Sequence, residues 1–387
     1  MSNSYDLAIL GAGCAGLSLA RELIRHGYSK RAVIIEPRDT YSHDRTWCFW
    51  ANAQHELSDL VSERWSQWQL STPRRAIRHT GAKLSYQQIR SDDFYHAHLA
   101  KIAHRSNIEL LTGVTAGPMA DHDDRVEIET TAGAISARRV IDTRPRPPQH
   151  DQATIWQIFS GAEVETEEAC FDPSVAGLMQ QMTSDESGLK FTYILPMTAH
   201  TALIQTTRFA LRKSAPDTLD REFERDLRTA FKTKTKIRRH ERGCLPMGQA
   251  PQSPHPSARV FRAGQAAGIL RASSGYGFLR IQTWAESTAE ELASGRRLSE
   301  KPFGSPLERK MDAIFLAAMS RSPYAAADWF ARIANQLSGD EFGRFMSQSP
   351  SLHLWLKVVS ALPKAPFVRA LLAGMPKIDR ADHRVAT

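Results

Sequence analysis

Cysteine is scarce in this sequence: four in 387 residues, at Cys14, Cys48, Cys170 and Cys244, far from one another. No Cys-x-x-Cys pair occurs and no cysteine–histidine spacing suits zinc, so no metal site is expected. Long apolar runs are missing as well. The longest, residues 313–319, falls far short of the roughly 20 residues that span a bilayer. The first five residues are polar and an apolar strand begins at Leu7, which is not the pattern of a secretory leader. Reduced thiols and a cytoplasmic location are therefore expected. The sequence also lacks internal repeats, low-complexity tracts and any nucleic-acid recognition module.

What is present is an ordinary globular composition, 42% hydrophobic and 24% charged, with length enough for two or three structural units. Net charge is +8, and basic residues cluster at 138–146, 232–242 and 364–377. Without a recognition module, such a surface suits water or an anionic membrane on which the protein would lie.

Leu7-Ala8-Ile9-Leu10 reads as a buried parallel strand, followed at once by Gly11-Ala12-Gly13-Cys14-Ala15-Gly16. Residues 17–26 have helical periodicity, Gly27 sits where a helix ends, and Ala32-Val33-Ile34-Ile35 forms a second strand closed by Glu36. Gly11 permits the tight turn. Gly13 lets the backbone approach a pyrophosphate at the helix N-terminus, and Gly16 allows close helix–strand packing. Glu36 stands 20 residues past Gly16, the distance for accepting ribose hydroxyls. A second strand–glycine unit, Val260-Phe261-Arg262-Ala263-Gly264 with Gln265 and Gly268, returns late in the chain and favours FAD over NAD.

Farther along, residues 44–50 read as an aromatic-rich loop and 92–104 as a helix. Short strands are expected at 108–112, 125–130, 135–137 and 139–142, before prolines 145, 147 and 148 break the chain. Residues 155–209 are mostly β, 219–231 an amphipathic helix, 279–293 a helix, and the chain from 307 onward nearly all helical.

Several motifs together resemble the lycopene cyclase family of FAD-containing carotenoid enzymes, from the N-terminus to about residue 372. They are Thr46-Trp47-Cys48-Phe49, Val140-Ile141-Asp142-Thr143-Arg144 and Phe191-Thr192-Tyr193-Ile194-Leu195-Pro196. To these are added the glycine–tyrosine segment Ser273-Ser274-Gly275-Tyr276-Gly277-Phe278 and the tail Ser360-Ala361-Leu362-Pro363 with Pro366-Phe367. The resemblance implies an α/β, FAD-binding Rossmann-like doubly wound fold with an inserted β-rich substrate domain and a helical C-terminal region. The FAD-binding part would take 1–150, with an inserted segment at 44–105, and return at 256–300. The substrate domain would take 151–255 and a helical cap 301–387. It also implies reduced FAD, with NAD(P)H as a possible reductant, and an apolar polyene or isoprenoid substrate. Such an enzyme protonates a terminal double bond and closes a ring with no net redox change. The cofactor set would be Gly11, Gly13, Ala15, Gly16, Glu36, Arg45, Asp142, Gly264, Gln265, Gly268, Gly275 and Tyr276. Aromatic faces for the cation could come from Trp47, Phe49, Trp50, Trp156, Tyr276 and Phe278.

The sequence departs from the family where acid chemistry is expected. Leu203-Ile204-Gln205-Thr206-Thr207 matches a stretch that carries an essential glutamate, and Gln205 stands in its place. Gln180 likewise replaces an aspartate. An amide offers hydrogen bonds but not a carboxylic proton. Either another acid substitutes, with Asp44, Asp172 and Glu286 as candidates, or the scaffold runs other chemistry. The catalytic set is thus Gln205, Asp44 and Trp47. The alternatives to cyclisation are a flavin-dependent hydroxylase or desaturase and a non-catalytic pigment carrier.

Overall fold

The structure, a computed structural model, describes residues 3–145, 153–231, 233–248, 257–298, 302–347 and 350–373. The break expected at Pro147 and Pro148, the domain limit at 255, Lys232 and the basic residues past 373 lie outside them.

The chain opens with β1 (Ser4–Leu10), α1 (Cys14–Arg25) and β2 (Ala32–Ile35). Next come β3 (Thr46–Ala51), β4 (Val61–Trp65), β5 (Gln67–Thr72), β6 (Arg75–Thr80), β7 (Ser85–Arg90) and α2 (Ser91–Ala103). Then follow β8 (Ile108–Leu111), β9 (Ala116–Asp121), β10 (Val126–Thr130) and β11 (Ile135–Asp142). The middle of the chain holds β12 (Ile155–Thr166), β13 (Val175–Asp185), β14 (Gly188–Pro196), β15 (Thr201–Ala210), α3 (Asp220–Ala230) and β16 (Thr235–Met247). After β17 (Val260–Arg262) and α4 (Phe278–Ala293) come α5 (Pro306–Arg321), α6 (Ala326–Gln336), α7 (Gly339–Ser347), α8 (Leu352–Ala361) and α9 (Lys364–Leu372).

Among the described residues the strands form three sheets. The first runs β8-β2-β1-β11-β10-β9 and is parallel through its centre. β10 pairs with the first half of β11, and β17 with its second half. The apolar runs of β1 and β2 are buried on both faces, as parallel strands between helices must be. The second sheet runs β16-β12-β15-β14-β13-β5-β6, and β3-β7-β4 forms a small third one. The mixed α/β architecture and the helical C-terminal region are those expected.

Some local expectations need correction. Residues 46–51 are a strand, not a loop: Thr46 to Ala51 pair in register with Arg90 to Ser85, because aromatic side chains suit a half-buried pleat. The two strands expected at 135–137 and 139–142 are one, β11. The long strand β16 was not foreseen, and β13 falls within the stretch 155–209 expected to be mostly β. The register of β13 shifts on both sides of Gln180, and Met179 and Gln181 have positive φ, which breaks the period of two. The basic stretch 234–242 is no free patch either. Arg238 pairs with Glu165, Arg239 with Glu163 and Glu241, and Arg242 with Asp220, all but one across strands or onto α3.

A buried histidine gives the fold a pH dependence. Burial pushes the His98 imidazole down to about 4, while the unfolded chain takes the proton near 6.5. Stability is therefore kept above pH 6.5 and lost as the pH falls from there towards 4. His43 and His79 shift the same way, with burial the leading cause. The unfolding free energy should fall between pH 7 and 5, and His98→Asn should flatten that slope by up to about 1.4 kcal/mol per pH unit. Parallel slopes for the two proteins in urea titrations would remove His98 from the account.

Candidate functional site

The glycine turn after β1 is shaped by what its glycines touch. Gly11 has φ +94, and a Cβ there would lie 2.9 Å from Thr143 Oγ1. At Gly16 a Cβ would lie 2.0 Å from the Gly11 carbonyl oxygen, so α1 packs on the turn only because that atom is missing. Gly13 differs: a Cβ there would meet nothing within 4 Å. The protein leaves that space open at the N-terminus of a helix with no capping side chain and no acid in its first turn. An anion such as a pyrophosphate fits that end. Glu36, 3% exposed, accepts from the Ala12 and Arg38 backbone and from the Arg38 side chain. Burial alone would raise its pKa, but Arg38 and the two amides together hold it below the usual carboxylate range. The open side of Gly13, the uncapped helix end and the Glu36 carboxylate fit the pyrophosphate and ribose of a dinucleotide.

Other expected cofactor residues gather around this turn. Thr143 Oγ1 donates to the Leu10 and Gly11 carbonyls, closing the end of β11 over it. Asp142 faces Arg144, which grips both of its oxygens. Gly264, with φ +70, abuts α1 so closely that its Cβ would lie 3.5 Å from the Ala15 Cβ. The late and early glycine units thus meet at Ala15 and Gly264, with half-buried Gln265 and left-handed Gly268 following. Asp44 belongs to this end too. It accepts from Ser91 Oγ and Tyr95 Oη and lies 3.6 Å from Arg38. Arg45 is exposed and holds the Asp44 carbonyl.

The glycine–tyrosine segment leads from α4 towards the second sheet. Gly275 has φ +76, and a Cβ there would fall 2.4 Å from Gln157 Oε1, a buried acceptor without a partner. Tyr276 lies against Trp50 and hydrogen-bonds Tyr86 Oη at 3.1 Å. Burial is the first cause that raises the Tyr86, Tyr276 and Tyr193 phenols and the Cys48 thiol, Tyr193 to about 12. These groups stay protonated at neutral pH.

Across the second sheet, register assembles a row that spacing along the chain does not reveal. Gly161 on β12 stands opposite Gln205 on β15 and, on its other side, opposite Glu241 on β16. Tyr193 on β14 stands opposite Gln205. Directly opposed residues share a face, so the row reads carboxylate, gap, amide, phenol. A Cβ at Gly161 would lie 2.5 Å from the Gln205 Cγ, so the amide takes the room that glycine leaves. Glu241 is 5% exposed, and accepts from the Thr46 amide, the Thr46 hydroxyl and Arg239. It thereby ties β16 to the Thr46-Trp47 strand. Arg239 also bonds Glu163, which lies 3.6 Å from His43.

The remaining expectations are distributed as follows. Gln180 is not in the row: its amide bonds Ser71 and the backbone of Gln69 and Leu178, fastening β13 to β5. Asp172 is an exposed loop residue bonded to Ser174, and Glu286 pairs with Arg25 on the surface of α4. The aromatic residues divide into three places. Trp47 and Phe49 stack on Phe278, with centroids 5.6 and 4.9 Å away. Trp50 joins Tyr276. Trp156 does not belong with either. It packs with Ala210 and Leu219, below Lys213, on the opposite face from Gln205 because it alternates with Gln157. Glu241, Gly161 and Arg38 were not anticipated; residues 240–246 carry no period of two that would mark a strand holding Glu241.

Known proteins agree with this architecture. The lycopene beta-cyclase of Pseudescherichia vulneris is 27% identical over 314 residues, covering 77% of this chain and 75% of its own. Among solved structures, a geranylgeranyl bacteriochlorophyll reductase-like protein from Thermoplasma acidophilum superposes with a TM-score of 0.59 at 14% identity, covering 96% of this chain and 99% of its own. The halogenase PltM, solved with phloroglucinol and FAD, superposes with a TM-score of 0.58 at 14% identity, covering 96% and 87%. The model of the lycopene cyclase protein family matches residues 6–372. With that match running from β1 to the end of α9, the chain belongs to the lycopene cyclase family.

Proposed function

We propose that this protein binds FAD and cyclises the end of a linear carotenoid or related isoprenoid polyene without net redox change. Besides family membership, the observation that carries the reading is the Glu241–Gly161–Gln205–Tyr193 row. It sets one buried carboxylate on the face of the second sheet that lies towards Tyr276 and Trp50. Gly11, Gly13 and the α1 N-terminus would hold the pyrophosphate, Glu36 the ribose, and Gly264, Gln265 and Gly268 the ribityl side. When bound and reduced, with NAD(P)H the reductant, FAD supplies negative charge beside a developing cation.

The residues of this chain then have definite tasks. Ring closure passes through a carbocation, which needs negative potential in a water-free site. Glu241, fixed by Thr46 and Arg239, can hand one proton to the terminal double bond, supply that potential as the carboxylate left behind, and take back the proton lost at the end, so that the cycle balances. Gln205 can orient but not protonate. The neutral phenols of Tyr86, Tyr193 and Tyr276 and the ring of Trp50 present faces to positive charge.

A second reading, a flavin-dependent hydroxylase or desaturase, is favoured by one observation: the amide at Gln205. Incubation with lycopene and reduced FAD in anionic liposomes without oxygen separates the two. Cyclisation yields a ringed product of unchanged mass and consumes no NAD(P)H stoichiometrically. A mass change with reductant or oxygen consumption would establish the second reading instead.

The same liposomes test the surface. No described helix is long and apolar enough to cross a membrane. Yet Leu356, Val368, Leu371 and Leu372 are exposed on α8 and α9, beside Lys364 and Arg369. Such a face rests on anionic lipid, cytoplasmic side inward, and binding should weaken as salt rises.

A further inference from the structure

The helical cap contains a cavity of about 210 Å³ between α5, α6, α7, α8 and α9. We propose that it is a second binding site, for a linear conjugated isoprenoid chain taken up from a lipid surface. The site is separate from the sheet row described above. The proposal rests on the polyene reading only for the identity of the chain.

Four observations support it. First, the polar side chains lining the cavity among the described residues are Ser273, Asp312 and Lys364, and each is already engaged. Ser273 and Arg271 donate to Asp312, and Lys364 donates to the Val359 carbonyl. Apart from the exposed Lys364 ammonium at the rim, the wall offers a hydrophilic ligand little, whereas rings such as Phe315, Phe330 and Phe367 favour hydrocarbon. An apolar cavity of roughly 150 Å³ already stays dry and takes up benzene, so this one has room for part of a chain.

Second, the lining residues Val359, Val368 and Leu371 are 37%, 49% and 51% exposed, so the cavity opens outward. It opens on the apolar, basic face formed by α8 and α9. Third, its inner wall is one side of a turn whose other side reaches the tyrosine cluster. The Arg271 amide donates to the Tyr276 carbonyl and the Gly275 amide to the Arg271 carbonyl. Ser273 of this closed turn lines the cavity while Tyr276 packs on Trp50. Fourth, Trp355 lines the cavity together with Phe315, Phe330, Phe345 and Phe367, so five aromatic rings border it. A conjugated chain stacks its π system on such rings, which a saturated acyl chain cannot do.

The test uses the holoenzyme and phytofluene, a fluorescent linear polyene hydrocarbon, with stearic acid as the saturated competitor. Phytofluene emission should rise on binding and resist stearic acid. Val358→Trp, which fills the cavity, should weaken binding at least tenfold, and Trp355→Leu, which removes one ring, about threefold. Should Val358→Trp fail to fold, Leu371→Trp at the exposed mouth should slow phytofluene uptake by at least fivefold. Binding that neither folded tryptophan variant alters would overturn the proposal, as would an absence of binding. Displacement by equimolar stearic acid would overturn the conjugated specificity and leave an acyl site. Because no turnover is measured, phytofluene released by the variants together with uncyclised lycopene leaves this site standing and defeats the cyclase reading. The reverse pattern does the opposite.

Discussion

Alanine at Gly16 is expected to remove flavin binding, whereas alanine at Gly13 should remove only part of it and leave the fold intact. The two glycines have different physical reasons for being there. At Gly16 the added carbon would sit 2.0 Å from the Gly11 carbonyl oxygen and 3.4 Å from Ile9 Cγ2, so α1 must move away from β1. Overpacking of this kind costs about 1–3 kcal/mol, and it displaces the helix N-terminus from the site it faces. A loss of FAD affinity of at least about 100-fold, with a lower melting temperature, should follow, since each tenfold is about 1.4 kcal/mol. At Gly13 the new carbon meets no protein atom within 4 Å, and φ −82 is open to alanine. Its melting temperature without flavin should therefore match the parent's. Any loss of affinity there reports the ligand alone. Flavin fluorescence titration with thermal melts in parallel checks both. Unchanged FAD affinity in Gly16→Ala would show that the turn is structural and holds no dinucleotide.

This contrast explains what was legible in the sequence. The dinucleotide end is written in short-range spacing, because backbone sterics demand glycine at fixed offsets within one strand–turn–helix unit. The distance from Gly16 to Glu36 is likewise set by one helix and one strand. The sheet row was not legible. Gly161, Gln205 and Glu241 are joined only by the register of strands far apart in the chain, and sequence periodicity does not state which strands pair. Glu241 was further concealed in a stretch whose arginines resemble a solvated surface, although they pair with acids across the sheet. Trp156 shows the same limit from the other side, since one residue of register decides which face an aromatic serves. In the cap, periodicity reveals helices, but not that five of them enclose a cavity.

Glu241→Gln should lower the turnover number at least about 100-fold, the size of effect seen when one preorganised electrostatic group of about 3 kcal/mol is removed. Glu241 also has a structural task, and the variant must distinguish the two. Glutamine keeps one of the two acceptor oxygens: it can accept from the Thr46 amide while its NH2 donates to the Thr46 hydroxyl, and Arg239 keeps Glu163 at 3.1 Å. The fold should therefore survive with a loss of about 1–3 kcal/mol, the cost of weakening a buried hydrogen-bonded group. A structural role alone predicts a lower melting temperature and a nearly unchanged turnover number. A role in charge stabilisation predicts a fallen turnover number with KM preserved, because the apolar substrate contacts are untouched. Rescue supplies the decisive measurement. Gln205 occupies the same row one strand beyond Gly161, so Gln205→Glu in the Glu241→Gln background returns a carboxylate to the row without touching Thr46 or Arg239. Recovery of turnover without recovery of melting temperature would show that the row needs one negative charge and accepts it on either strand. Failure of the double variant, with Glu241→Gln still inactive, would bind the function to the position held by Thr46 and Arg239. An active Glu241→Gln would withdraw the carboxylate from the chemistry and leave it as the clasp between β3 and β16.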